Sequence, residues 1–111
     1  MYQYIAKLIR VIDGDTVDAL VDLGFDVWVK KRIRLYGINT PETRTRDLEE
    51  KKAGIAAKER LETLISECDG IFILESHGVG KYGRCLGTLL IDDTDINQLL
   101  IDEGFAKEYI K

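Results

Sequence analysis

Alternation in the first forty residues limits this fold more than any other feature. Across residues 2–12, and again across 16–23, apolar and polar side chains take turns, with Val17, Ala19, Val21 and Leu23 on one face and Asp18 and Asp22 on the other. A period of two marks a strand buried on one side, because successive side chains leave opposite faces of the chain. Asp13-Gly14-Asp15 separates the two runs, and Asp-Gly between alternating hydrophobics predicts a hairpin. Leu23-Gly24-Phe25-Asp26 reads as a second turn, leading into a third run over residues 27–38. There Val27, Val29, Ile33 and Leu35 share one face, and Trp28, Lys30, Arg32, Arg34 and Tyr36 the other. The simplest assembly is a three-stranded meander.

Beyond it the pattern changes. Residues 39–47 hold the chain's one proline and the polar, basic Thr43-Arg44-Thr45-Arg46, an exposed loop by composition. Residues 48–68 turn helical, since Ala53, Ala57, Leu61, Leu64, Ile65 and Cys68 recur at spacings of three and four. Asp69-Gly70 ends that helix, and residues 71–75 form a strand. A glycine-rich turn over residues 78–83 leads to a fifth strand at 84–91. Asp92-Asp93-Thr94 offers a turn and an N-cap for a short helix at 95–103, stopped by Gly104. The expected fold is mainly β with two helices (α+β): a five-stranded, partly open Greek-key barrel of the OB type, with a helix after strand 3 and a short one after strand 5.

The 111 residues suit one domain spanning 1–111. With 45% hydrophobic and 32% charged residues, the composition describes a soluble globular chain and excludes disorder and membrane insertion. The N-terminus has no basic stretch followed by an apolar one, so no signal peptide and a cytoplasmic location are expected. One histidine and two distant cysteines make no zinc site; Cys68 and Cys85 are expected to be reduced and mostly buried. The net charge is −4, yet residues 30–60 carry ten basic groups against five acidic ones, so the middle of the chain is locally cationic.

Three separated segments hold the chemistry: Asp13-Gly14-Asp15-Thr16, the run from Arg34 to Glu42, and Lys81-Tyr82-Gly83-Arg84. Carboxylate and amide oxygens suit a hard divalent cation, guanidiniums clamp a phosphate, and a glutamate takes a proton from water. Each segment alone is an ordinary turn or loop.

In this order and spacing, from about Leu8 to Lys107, the segments resemble the staphylococcal nuclease (thermonuclease) family. The resemblance implies an OB-fold, calcium-dependent nuclease that cleaves DNA and RNA. It implies Asp15 as a direct Ca²⁺ ligand, Thr40 as a ligand through its main-chain carbonyl, and Asp13 as support behind them. Asn39 stands where the family has a second carboxylate ligand, which keeps an amide oxygen and removes a negative charge. Glu42 would be the general base, Arg34 and Arg84 the phosphate-stabilising cations, and Lys81 and Tyr82 would hold a neighbouring phosphate or sugar. The expected partner is single-stranded DNA or RNA, bound by a monomer with no membrane involvement. The alternative is an OB-fold module that binds nucleic acid or a protein without cutting. Tyr36, Tyr82, Trp28 and Tyr109 offer rings for stacking, although most aromatics in so small a domain are expected in the core, and His77 reads as a surface or strand-end residue.

Overall fold

The computed structural model describes residues 2–80 and 83–109. Strand β1 (Gln3–Asp13) pairs antiparallel with β2 (Thr16–Asp22), and β2 with β3 (Trp28–Leu35), in the meander expected from the alternation. Register shifts in β1 between Leu8 and Arg10 and between Val11 and Asp13 bend the strand, as bulges do where a sheet curls into a barrel. After the two-residue β4 (Ile38–Asn39) comes helix α1 (Leu48–Ser66), then β5 (Ile71–Val79) beside the other edge of β1, and β6 (Cys85–Ile91) beside β5. A parallel pairing of β3 with β6, from Ile33 opposite Cys85 to Leu35 opposite Gly87, joins the two ends of the sheet. The barrel is therefore closed rather than partly open, with strand order β3-β2-β1-β5-β6. This is the OB-like α+β architecture.

Inward positions form the core: Val17, Ala19 and Val21 from β2, Ile33 and Leu35 from β3, Phe72 and Leu74 from β5, Leu89 from β6. Leu61 and Ile65 of α1 are fully buried, each contributing about 1.5–3 kcal/mol through loss of apolar surface from water. The Asp47 carboxylate caps α1 by accepting from the Glu49 and Glu50 N–H groups. At the other end Asp69 and Gly70 take left-handed conformations, and the Gly70 N–H bonds the Ile65 carbonyl at 3.1 Å, so Glu67 and Cys68 belong to a turn.

Several local expectations shift. Leu23 and Val27 are half-exposed because they belong to the turn, where Leu23 and Val27 close a short backbone loop, rather than to the buried strand faces. Strand β5 runs on to Val79, four residues past the expected end. Asp92 and Asp93 both have positive φ and form the tight turn between β6 and β7 (Thr94–Asp95); the cap of helix α2 (Ile96–Asp102) is Asp95, which accepts from the Gln98 N–H at 2.9 Å. Most aromatics lie outside the core: Phe72 alone is fully buried among those described, with Tyr4 and Phe105 packed at its margin. A last short strand, β8 (Lys107–Glu108), pairs with β4, and the Tyr109 N–H bonds the Gly37 carbonyl at 2.8 Å. Residues 107–109 thereby buttress β4, which carries Asn39.

Candidate active site

The first two segments meet because small residues let backbones approach. Gly14, between Asp13 and Asp15, lies under α1 and the loop after β4: a Cβ placed on it would stand 2.7 Å from Ala57 Cβ and 3.0 Å from Thr40 Cγ2. One helical turn earlier, a Cβ on Gly54 would stand 2.5 Å from the carbonyl oxygen of Glu42 and 2.8 Å from that of Pro41. Gly54 and Ala57, three apart on one face of α1, thus hold both the Asp13-Gly14-Asp15 turn and the Thr40-Pro41-Glu42 loop against the helix. The periodicity had put Ala53 on the buried face; Ala53 is exposed, and Gly54 takes the place of contact.

Asp15 is 8% exposed and fully engaged. Its Oδ1 accepts from the Thr16 hydroxyl at 3.0 Å, its Oδ2 from the Thr40 N–H at 3.0 Å, and Oδ2 also lies 3.4 Å from Nη1 of Arg34. Arg34 leaves β3 on its outer face and is held by the carbonyls of Leu35 and Ile38, at 3.1 and 3.0 Å, while Nη2 donates to Asn39 Oδ1 at 3.2 Å. The guanidinium therefore touches both Asp15 and Asn39 and sets their spacing. Asp13 Oδ1 accepts from the Thr43 hydroxyl, a bond that ties down the basic loop. The Thr40 hydroxyl is buried with no hydrogen-bond partner among the described residues.

As a set for a divalent cation, the Asp15 carboxylate, the Asn39 amide oxygen and the Thr40 carbonyl are hard oxygens of the kind calcium takes. They fit in donor type and fall short in charge, with one anion and a guanidinium against it. Among the described residues no group of three His, Cys, Asp or Glu side chains could hold a metal ion.

Arg34 and Arg84 line one cleft of about 620 Å³ together with Tyr36, Asn39, Leu86 and Tyr109. Two guanidiniums and the Glu108 carboxylate share this lining, and arginine's planar fork matches phosphate oxygens. Glu42 is exposed on the loop after β4 and does not line this cleft. Lys81 and Tyr82 lie outside the described residues.

Three features escaped the sequence. Asp18, expected on a solvated face, is 2% exposed: Arg32 grips it with two bonds at 2.9 and 3.2 Å, and Arg10 adds a third at 3.3 Å. The bond from Arg32 holds its carboxyl below the usual carboxylate range against the opposing effect of burial, with Arg10 helping. His77 is no bare surface residue, for its ring stacks on Tyr36, centroids 4.2 Å apart and planes within 3°, and its Nε2 lies 2.9 Å from the Thr88 hydroxyl. Buried Asn97 of α2 donates to the carbonyls of Tyr36 and Gly87 and accepts from the Leu89 N–H, tying the cleft's wall to β6. A lone asparagine among the apolar positions of a short helix was the available sign.

A sequence model of the family described as staphylococcal nuclease homologue matches residues 32–111. The chain is 33% identical to the thermonuclease of Staphylococcus intermedius, covering 94% of this chain and 58% of that protein. It is 30% identical to a micrococcal nuclease of Shigella flexneri (93% and 57%) and 29% identical to protein ParB of Escherichia coli (93% and 56%). The chain thus spans little more than half the length of these curated relatives. The family match takes in the second half of β3, with Arg32 and Arg34, and every element after it. With the closed five-stranded barrel and the Arg34–Arg84 cleft, the comparison identifies the chain as a member of the staphylococcal nuclease family.

Proposed function

We propose that this chain hydrolyses phosphodiester bonds in nucleic acid, with single-stranded DNA as substrate and RNA as a further one. Membership of the family suggests a nuclease or nucleic-acid-binding role. The observation that carries the catalytic reading is the pairing of Arg34 and Arg84 over one cleft, beside the oxygens of Asp15, Asn39 and Thr40.

Attack of water on phosphorus adds negative charge to the nonbridging oxygens and then to the departing oxygen. Arg34, held by the Leu35 and Ile38 carbonyls, and Arg84 supply cations to that charge, and a donor already held in place needs little reorganisation as the charge grows. Glu42 takes the proton from the attacking water, a contribution of roughly 10²-fold or more. Lys81 and Tyr82 hold the adjoining phosphate or sugar. Asp15, Asn39 and the Thr40 carbonyl would hold a calcium ion, supported by Asp13; the ion would act as a Lewis acid and order the water. Substrate phosphate adds the negative charge that Asn39 withholds.

The test is cleavage of a fluorogenic oligonucleotide with Ca²⁺, Mg²⁺ or Mn²⁺ and with chelator, against Glu42→Gln. Metal-dependent cleavage that Glu42→Gln lowers by about a hundredfold is expected; no cleavage above that variant with any metal sinks the enzyme reading. The neutral Asn39 and the engagement of Asp13 by Thr43 favour one alternative, a module that binds nucleic acid without cutting it. Salt-sensitive binding indifferent to Ca²⁺ is its mark.

A further inference from the structure

The outer face of β3 carries Trp28, Lys30, Arg32 and Arg34 at every second position, about 6.6 Å apart by strand geometry. Arg84 directly precedes Cys85, the partner of Ile33 in the parallel pairing, so the register sets Arg84 beside Arg32. A second groove of about 600 Å³, lined by Asp18, Lys30, Arg32, Gly83 and Arg84, opens there. Arg84 lines both hollows, so they adjoin at its side chain.

This strip differs from an ordinary solvated basic face in two ways. First, Arg32 is anchored: it lies opposite Asp18 in the β2–β3 register and is gripped by that buried carboxylate at both oxygens. Burying a carboxylate is costly, and here it fixes a guanidinium along the groove wall. Second, the charge is local. Arg10 and Arg32 pair with Asp18, and Lys30 and Arg84 line the groove beside it, in a chain whose net charge is −4; the other carboxylate on this face of β2, Asp22, lies opposite Trp28. At the far end stands Trp28, the one tryptophan of the chain, 46% exposed and roughly 20 Å along the strand from Arg34. A row of cations ending in an exposed ring is what a single strand recognises, phosphates along the row and a base on the ring.

We propose that the outer face of β3 is a binding track for single-stranded nucleic acid, leading from Arg34 and Arg84 past Arg32 and Lys30 to Trp28. The proposal rests on the reading of Arg34 and Arg84 as phosphate ligands. It extends that site along the barrel wall, so affinity rises with substrate length.

The test uses the full chain in chelator, so that nothing is cut. Oligothymidylate of about twelve nucleotides, within the range one OB barrel engages, and a dinucleotide are each titrated while Trp28 emission is followed, with binding read independently by anisotropy of a labelled twelve-mer. The long strand should quench Trp28 and the dinucleotide should not. Lys30→Glu, at an exposed position, should weaken twelve-mer binding about tenfold, and Lys52→Glu on α1, with the same change in net charge, about twofold or less. The track is overturned if the twelve-mer binds with Trp28 emission unchanged, if the two charge reversals weaken binding equally, or if no strand binds. Separate cleavage assays keep the two readings apart: Trp28 quenching without cleavage under any metal leaves the track standing and removes the catalytic reading, and cleavage without quenching does the reverse.

Discussion

Gly54→Ala tests how this site is built. In an exposed stretch of helix the change would stabilise α1 by about 1 kcal/mol, because alanine loses less backbone freedom than glycine on folding. Here the new methyl would lie 2.5 Å from the Glu42 carbonyl oxygen and 2.8 Å from its carbonyl carbon. Both are backbone atoms, so no side chain can swing aside. Reaching even 3.0 Å, below which Cβ contacts essentially never fall, moves the Glu42 backbone or the helix by at least 0.5 Å. Overpacking of this kind costs about 1–3 kcal/mol, which exceeds the helical gain and leaves a net loss of about 1 kcal/mol. Misplacing a reacting group by about 1 Å costs about a hundredfold in rate, so a shift of half that size should lower kcat about tenfold. The assay pairs denaturant melts with cleavage rates for Gly54→Ala, and Ala56→Gly on the exposed side of α1 calibrates the helical contribution in this chain. A Gly54→Ala protein that melts later than wild type and cuts at full rate would falsify the account of how Glu42 is held.

Three further outcomes follow from named contacts. Asn39→Asp restores a carboxylate beside Asp15 and should raise Ca²⁺ affinity at least about tenfold, measured by calorimetry and by the metal dependence of cleavage; an unchanged affinity means that Asn39 is not a ligand. Because Arg32 lowers the Asp18 pKa, the stability from this ion pair is fully present above the ordinary carboxylate value near 3.8 and is lost as pH falls through the lower folded value. Asp18→Asn should therefore cost about 1–2 kcal/mol at neutral pH, discounted for the exposure of both arginines, and flatten the acid limb of stability below about pH 4; a urea-midpoint profile parallel to wild type contradicts this. Asn97→Ala strips partners from the Tyr36 and Gly87 carbonyls and the Leu89 N–H and should cost about 2–4 kcal/mol in denaturant melts, with a loss under about 1 kcal/mol showing that water replaces the amide.

The strands and helices were legible because their periods were. Alternation along β2 and β3 placed Val17, Ala19, Ile33 and Leu35 inside, as observed, and spacing along α1 placed Ala57, Leu61 and Ile65. Arg34, Asn39 and Arg84 could be singled out because their neighbours fall in a recognisable order, and they line one cleft. Asp18 was misplaced for a physical reason: period two tells which face a side chain leaves from, and cannot tell that two arginines will fold over that face and bury it. Gly54 was passed over because a helical period weighs hydrophobicity, whereas its use is to be small. His77 and Tyr36, 41 positions apart in sequence, meet only across the barrel.

By itself, then, the amino-acid sequence determined the barrel strands and the two helices and singled out residues whose chemistry suits a phosphodiester, since alternation, capping and side-chain chemistry are local properties. Tertiary structure decided what those residues touch. Closure of β3 on β6 brought Arg34 and Arg84 over one cleft, and the Gly54–Ala57 face of α1 drew the Asp13-Gly14-Asp15 turn to the Thr40-Pro41-Glu42 loop. These are contacts between residues far apart in the chain, formed when the barrel excludes water from its core, and no local pattern specifies them.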